Sequence, residues 1–205
     1  MNGRARAFTL LEVLLALSIV GILLTIAFGG LRVAMAAWRQ GEDRVEAHQH
    51  VRAVALSLTR ALGAAYPYRA TKGTAPEIVT LFDGAADRVA FVSQRAPFPL
   101  SAPIAFTAVV VALEQGDTPG LVVRERALPN QEPFDKAEVV MHDPGVTALT
   151  FKFLDDGGEW TDTWDGAQAK TIPRAVQVQV SATLNGRAQT LPPITVTLRA
   201  APVTP

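Results

Sequence analysis

An unbroken apolar stretch near the N-terminus constrains this chain more than any other feature. Residues 8–31 contain no lysine or arginine and a single carboxylate, Glu12. A helix of that length crosses roughly 30 Å of hydrocarbon, which takes about 20 residues. The stretch therefore predicts a transmembrane helix over 8–31. Arg4 and Arg6 precede it and indicate a single-pass orientation with a short cytoplasmic N-terminus.

A cleaved secretory signal is the competing interpretation, because a short basic start precedes the apolar run. The apolar region of such a signal usually ends after about 7–15 residues at a small-residue cleavage site. Here the run continues well past that length, and Glu12 stands one turn into it. The sequence favours a retained anchor.

Helical spacing of apolar residues persists beyond the predicted span. With charged residues between them, the positions concerned are Leu31, Met35, Trp38, Val45, Val51, Ala55, Leu58 and Leu62. This spacing predicts that the helix continues over 32–63. It should end at Gly63, because Pro67 cannot continue a helix.

The region from 64 to 200 changes to short runs rich in β-branched residues, separated by Gly, Pro, Asp and Asn. Strands are predicted at 77–82, 88–93, 104–113, 121–126, 137–142, 147–154, 175–184 and 194–198. Strict alternation over 175–184 indicates a half-buried antiparallel strand. Asn185-Gly186 then predicts a tight hairpin turn leading into the last strand. The fold class is α+β, a long N-terminal helix followed by an antiparallel β-rich domain, with a loose tail at 201–205.

Composition narrows the function. Basic and acidic residues number 19 each and are mixed along the chain, so no basic surface for nucleic acid is expected. The absence of cysteine excludes disulfides, thiolate metal sites and cysteine nucleophiles. No nucleophile elbow, P-loop or dinucleotide fingerprint is present. We therefore expect no catalytic residues, cofactor, metal or small-molecule substrate.

Glu12 is the residue that most needs an explanation. An ionisable side chain inside a membrane span costs at least about 2.5–3.5 kcal/mol on insertion scales, so it needs a partner cation. Nothing basic lies inside 8–31, which points to a cation on another chain. The alternative is that Glu12 only snorkels to the cytoplasmic interface.

The string Ala7-Phe8-Thr9-Leu10-Leu11-Glu12-Val13 resembles the cleavage and methylation motif of type IV prepilins and type II secretion pseudopilins. The resemblance implies that a prepilin peptidase removes a leader of residues 1–7 by cutting between Ala7 and Phe8. It also implies methylation of the new Phe8 amine and a role for Glu12 in subunit assembly, through the amine of a neighbouring subunit. Ala7 stands where the family usually has glycine.

The C-terminal half resembles general secretion pathway protein J, a family of minor pseudopilins, and the similarity lies in 146–155, 158–160, Trp164 and 172–178. It implies a type IV pilin-like fold, an inner-membrane anchor and a periplasmic domain. The implied partners are the I, K and H minor pseudopilins and the major pseudopilin, in a pseudopilus tip complex that supports export of folded proteins. Two alternatives stay open: a minor pilin of a type IV pilus or DNA-uptake machine, and a membrane-anchored periplasmic enzyme or ligand-binding module.

Several further residues have both a functional and a structural interpretation. Trp160 and Trp164 are candidates for partner contact, because tryptophan is enriched at interface hot spots, but the structural alternative is that they cap the hydrophobic core. Acidic residues between 155 and 165 suggest calcium, yet their spacing lacks the twelve-residue calcium loop and favours a solvated turn. His48 and His50 lie about 200° apart on the helix, so they cannot share a metal. His142 is expected to be structural or solvated.

Overall fold

The computed structural model describes residues 9–71, 78–94, 106–130 and 132–198. The chain divides into two units, residues 1–45 and residues 46–205. The cleavage-site residues Ala7 and Phe8, the start of the strand predicted at 104–113 and the tail at 201–205 lie outside the described residues.

A single helix, α1 (Leu10–Gly63), runs through the N-terminal unit and into the second one. It ends at the predicted glycine. Its buried residues begin at Ala47 and repeat at helical spacing, as Val51, Val54, Ala55, Leu58, Ala61 and Leu62. The exposed apolar part of the helix therefore belongs to the N-terminal unit, and the amphipathic part belongs to the second.

Strands account for most of the described residues that follow α1 in the second unit. In chain order they are β1 (Ala65–Tyr66), β2 (Arg69–Thr71), β3 (Ile78–Thr80), β4 (Phe82–Ala85), β5 (Arg88–Ser93), β6 (Thr107–Glu114), β7 (Gly120–Ala127), β8 (Glu138–Asp143), β9 (Val146–Leu154), β10 (Trp160–Thr161), β11 (Trp164–Asp165), β12 (Ala175–Leu184), β13 (Arg187–Thr190) and β14 (Ile194–Thr197). A one-turn helix, α2 (Gly166–Ala169), precedes β12.

The strands form two main antiparallel sheets. The larger has the order β11-β4-β5-β6-β7-β8, with β1 also paired to β5. The smaller has the order β10-β9-β12-β13, with β14 also paired to β12. Strands β2 and β3 form a separate two-stranded sheet. The predicted α+β class, a long N-terminal helix followed by antiparallel sheet, is confirmed.

One hydrophobic core joins the second part of α1 to both main sheets. Phe151 and Phe153 from β9 and Val178 from β12 are almost fully buried in the same cluster as Leu58 and Phe91. Alternation along β5 separates the two faces of the larger sheet: Val89 and Phe91 join this core, while Ala90 and Val92 join a second cluster on the opposite face. The larger sheet is thus covered on both faces.

Three strand predictions need correction. The strand expected at 77–82 is instead two strands, β3 and β4, which belong to different sheets. The segment 155–165, expected as a solvated turn, contains β10 and β11. The hairpin after β12 leads into β13, which was not predicted, and the predicted last strand, β14, pairs with another part of β12. In each case pairing with strands that are distant in the sequence determines which residues form a strand. The local sequence pattern does not show that pairing.

The predicted hairpin turn itself is confirmed. Asn185 and Gly186 have φ angles of 51° and 72°, which place both in the left-handed region that a type I′ turn requires. The Asn185 side chain also donates a hydrogen bond from Nδ2 to Glu46 Oε2 on α1, at 3.0 Å. The turn therefore fastens the end of β12 to the helix of its own unit.

Candidate functional site

Glu12 lies in the first turn of α1, and its local geometry shows how the helix begins. The Glu12 backbone N–H donates to the Thr9 carbonyl oxygen at 3.1 Å and to Thr9 Oγ1 at 3.3 Å. This is the N-cap arrangement, in which a hydroxyl satisfies an amide that the helix leaves unpaired. The Thr9-x-x-Glu12 spacing is the sequence signal of a capping box, so the role of Thr9 could have been predicted from the sequence although it was not among the expectations.

The carboxylate of Glu12, in contrast, has no hydrogen bond or ion pair with any residue that the structure describes. The side chain is exposed on an isolated helix surface. An acceptor with this geometry is available to a cation from outside the described part of the chain.

The helix surface around Glu12 is apolar and uncovered. Leu10, Leu11, Val13 and Leu14 are exposed to between 49% and 83%. Within the described ranges, α1 is the one helix long and apolar enough to cross a membrane, and its most apolar window is entirely unburied within the chain. Exposed apolar surface on this scale calls for lipid or for other protein helices.

The structure places Trp160 and Trp164 in different sheets. Trp160 on β10 pairs with Leu154 of β9 and is 38% exposed. Trp164 on β11 pairs with Gly84 of β4 and packs against the main core, and its indole N–H donates to the Thr171 carbonyl oxygen at 3.1 Å. The two indoles therefore have different environments, and Trp160 is the more accessible.

The acidic residues of the 155–165 segment have separate local roles. Asp155 Oδ1 accepts from the Glu159 N–H at 2.7 Å, and Asp165 Oδ1 accepts from the Ala167 and Gln168 N–H groups as the N-cap of α2. Asp162 lies 3.8 Å from the Lys152 ammonium. Across 9–71, 78–94, 106–130 and 132–198, no three His, Asp or Glu residues form a group suited to a metal ion.

The histidines are dispersed over the second unit. His48 is exposed, and His50 Nε2 lies 3.1 Å from Asp143 Oδ2. His142 is exposed on β8, near the ion pair of Glu114 with Arg124.

The hydrogen bond from Arg124 is the main reason that the pKa of Glu114 is lowered. The charges of Arg124 and His142 lower it further, while burial opposes them. The pair therefore stabilises the fold above the unfolded-state pKa of Glu114 and is lost as the pH falls through the lowered value.

Both parts of the chain match families of known proteins. The family model described as "Type II secretion system (T2SS), protein J" matches residues 29–191. The model described as "Prokaryotic N-terminal methylation motif" matches residues 2–28. The type II secretion system protein J of Xanthomonas campestris pv. campestris is 38% identical over 93 residues, which is 45% of this chain and 44% of that protein. That alignment spans less than half the length of the relative.

Proposed function

Since the chain belongs to the type II secretion system protein J family, we propose that it works as a minor pseudopilin, a structural subunit of the pseudopilus tip complex. Its role is assembly with other pseudopilins in support of the export of folded proteins across the outer membrane. Family membership supports the role in secretion, and the methylation motif matched at residues 2–28 supports assembly through the N-terminal helix.

The observation that carries this proposal is the carboxylate of Glu12, which lies on an exposed apolar helix and has no partner among the described residues. A carboxylate in hydrocarbon is costly unless a cation meets it, and the described residues supply none. In the proposed assembly the cation is the methylated Phe8 amine of a neighbouring subunit. A charge-assisted hydrogen bond of this kind fixes the axial position of one subunit against the next.

The proposed partners are the I, K and H minor pseudopilins, the major pseudopilin and the prepilin peptidase. They follow from membership of the protein J family and from the methylation motif. Trp160 is the better of the two candidate tryptophans for partner contact. It is 38% exposed on a strand at the edge of its sheet, whereas the Trp164 side chain is partly buried and packs against the main core.

The proposed location is the bacterial inner membrane, with residues 8–31 as a single span. Arg4 and Arg6 then remain in the cytoplasm with the leader of residues 1–7, as the matched methylation motif implies. The helical extension over 32–63, the β-rich domain over 64–200 and the tail at 201–205 follow on the periplasmic side. The mixed charge of the chain suits an aqueous compartment for the second unit.

Maturation tests the first step of this proposal. We expect cleavage between Ala7 and Phe8 and one added methyl group on the Phe8 amine, because the motif and the basic leader match what the peptidase recognises. The measurement is the intact mass of the protein purified from membranes of cells that have the peptidase. A parallel sample from peptidase-deficient cells should keep residues 1–7. A mature chain that starts elsewhere, or an uncut chain in both strains, would contradict the assignment.

A further inference from the structure

Residues 32–39 carry exposed apolar side chains beyond the segment that the hydrocarbon needs. Val33 and Trp38 are each 72% exposed, and Met35 is 50% exposed. The only charges in this stretch are Arg32 and Arg39. Water is an unfavourable surrounding for so much uncharged apolar surface, so something else should cover it.

These side chains point in different directions around α1, so a single neighbouring helix packed on one side cannot cover all of them. At about 100° per residue, Val33 and Trp38 point in directions about 140° apart. A single neighbouring helix covers one stripe, so it would shield Trp38 or Val33 and leave the other in water. A lipid environment surrounds the helix and covers both.

The axial positions match the layers of a bilayer. At about 1.5 Å per residue, Arg32 lies about 33 Å from Leu10 and Trp38 lies about 42 Å from it. The hydrocarbon is about 30 Å thick, and the bilayer with its headgroups is about 40–45 Å. With the helix tilted by about 20° and Leu10 about 2 Å outside the hydrocarbon on the cytoplasmic side, Arg32 lies at the outer edge of the hydrocarbon. Trp38 then lies about 7 Å beyond that edge, in the outer headgroup layer.

The chemistry of the segment suits that layer. The Trp38 indole N–H donates to Glu42 Oε1 at 2.7 Å, so its polar edge is satisfied on the side away from the span. Arg32 and Arg39 project within about 20° of one another, and neither forms a hydrogen bond or ion pair with the described residues. Tryptophan and arginine are the residues that settle at a membrane interface, through an amphipathic ring and a guanidinium that reaches phosphate.

We propose that residues 32–39 bind the phospholipid headgroup layer of the outer leaflet, with Trp38 at headgroup depth and Arg32 and Arg39 on lipid phosphates. Polar residues at Gln40, Glu42 and Asp43 end the contact. This interfacial segment sets the depth of the helix in the bilayer before any assembly. It requires only that α1 spans a membrane with Leu10 on the cytoplasmic side, and it is independent of the secretion role.

Tryptophan fluorescence of the full chain in vesicles of phosphatidylethanolamine and phosphatidylglycerol tests the proposal. The double substitution Trp160→Phe and Trp164→Phe leaves Trp38 as the only tryptophan, and Trp38→Phe with Trp164→Phe leaves Trp160 as the matched control. Lipid brominated near the headgroup should quench Trp38 several-fold more than Trp160, and more than lipid brominated at the chain ends does. Iodide in the water should quench Trp160 more.

Three results would overturn it. Equal quenching of both tryptophans by brominated lipid would show that Trp38 does not lie at the membrane interface. Stronger quenching by lipid brominated at the chain ends would place Trp38 in the hydrocarbon. Shielding of Trp38 from both iodide and bromine would show that protein, such as a second copy of the chain, covers it.

A second measurement avoids any change to the packed Trp164. The chain has no cysteine, so Val33→Cys and Gln40→Cys can each carry a single spin label at an exposed helix site. The Val33 label should be more accessible to oxygen than to an aqueous nickel chelate, and the Gln40 label should show the reverse. Equal accessibility at the two sites would contradict the proposed end of the lipid contact.

Discussion

Replacing Glu12 by glutamine is expected to weaken subunit assembly strongly while leaving the folded domain unchanged. Glu12→Gln keeps the shape of the side chain but removes the charge that would meet a neighbour's Phe8 amine. A hydrogen bond to a charged group contributes about 1.5–3 kcal/mol, so the pairing should become about 10- to 150-fold weaker. Export by a strain that relies on the variant should fall, with protein level and membrane insertion at the wild-type value.

A matched control tests whether the effect depends on losing the carboxylate at Glu12 in particular, or on losing any carboxylate from α1. Glu42→Gln also removes one exposed carboxylate from α1, outside the apolar span, and its amide oxygen can still accept from the Trp38 indole. This variant should support export like the wild type. Wild-type export and wild-type crosslinking to partners by Glu12→Gln would leave Glu12 as a residue that only snorkels to the interface.

Replacing Gly84 by alanine is expected to destabilise the sheet domain strongly. An added Cβ at Gly84 would lie 2.3 Å from Phe153 Cζ, far inside van der Waals contact. Phe153 is fully buried and packs edge-on against Phe82 at 6.1 Å, so its ring has little room to move. Such overpacking costs about 1–3 kcal/mol, sometimes more, and each kcal/mol lowers Tm by about 2–4 °C in a domain of this size.

Thermal unfolding of the full chain in detergent, followed by circular dichroism, measures this effect. Gly63→Ala is the control, because its added Cβ would meet Val196 Cγ1 at an ordinary 3.9 Å. Adding Phe153→Leu to the Gly84→Ala variant should cost less than the sum of the two single changes, since the smaller side chain relieves the clash. An unchanged Tm for Gly84→Ala, or strict additivity, would show that Phe153 does not lie over Gly84.

Much of the fold follows from local pattern. The helix could be predicted because apolar residues keep helical spacing up to Leu62, and Gly63 with Pro67 supplies the stop. Strand β12 could be predicted because its alternation is strict, and one of its faces lies in the core as Val176, Val178 and Val180.

The rest depends on partners that are distant in sequence. Strands β1, β10 and β11 have two residues each, too few to show a period, and they exist only because longer strands pair with them. The same holds for the difference between Trp160 and Trp164, which lie in one short segment but join different sheets. Nothing local to Gly84 indicates that Phe153 will pack on it.

The candidate site could be predicted from the sequence more readily than the sheets could. A lone carboxylate in an apolar run is conspicuous because its energetic cost depends on composition alone. The role of Thr9 as N-cap could also have been found, from its spacing to Glu12. The proposal that lipid rather than one neighbouring helix covers Trp38 depends on side-chain exposure all around the helix, which a linear pattern does not reveal.

Co-purification of the full chain with the other minor pseudopilins tests its proposed role as a subunit of the tip complex. An affinity-tagged copy would be extracted in mild detergent from membranes that contain them, with an unrelated single-span protein carrying the same tag as the control. We expect the I and K types to be recovered with this chain and to be missing from the control. Recovery of this chain without any other pseudopilin would contradict its role as a subunit of the tip complex.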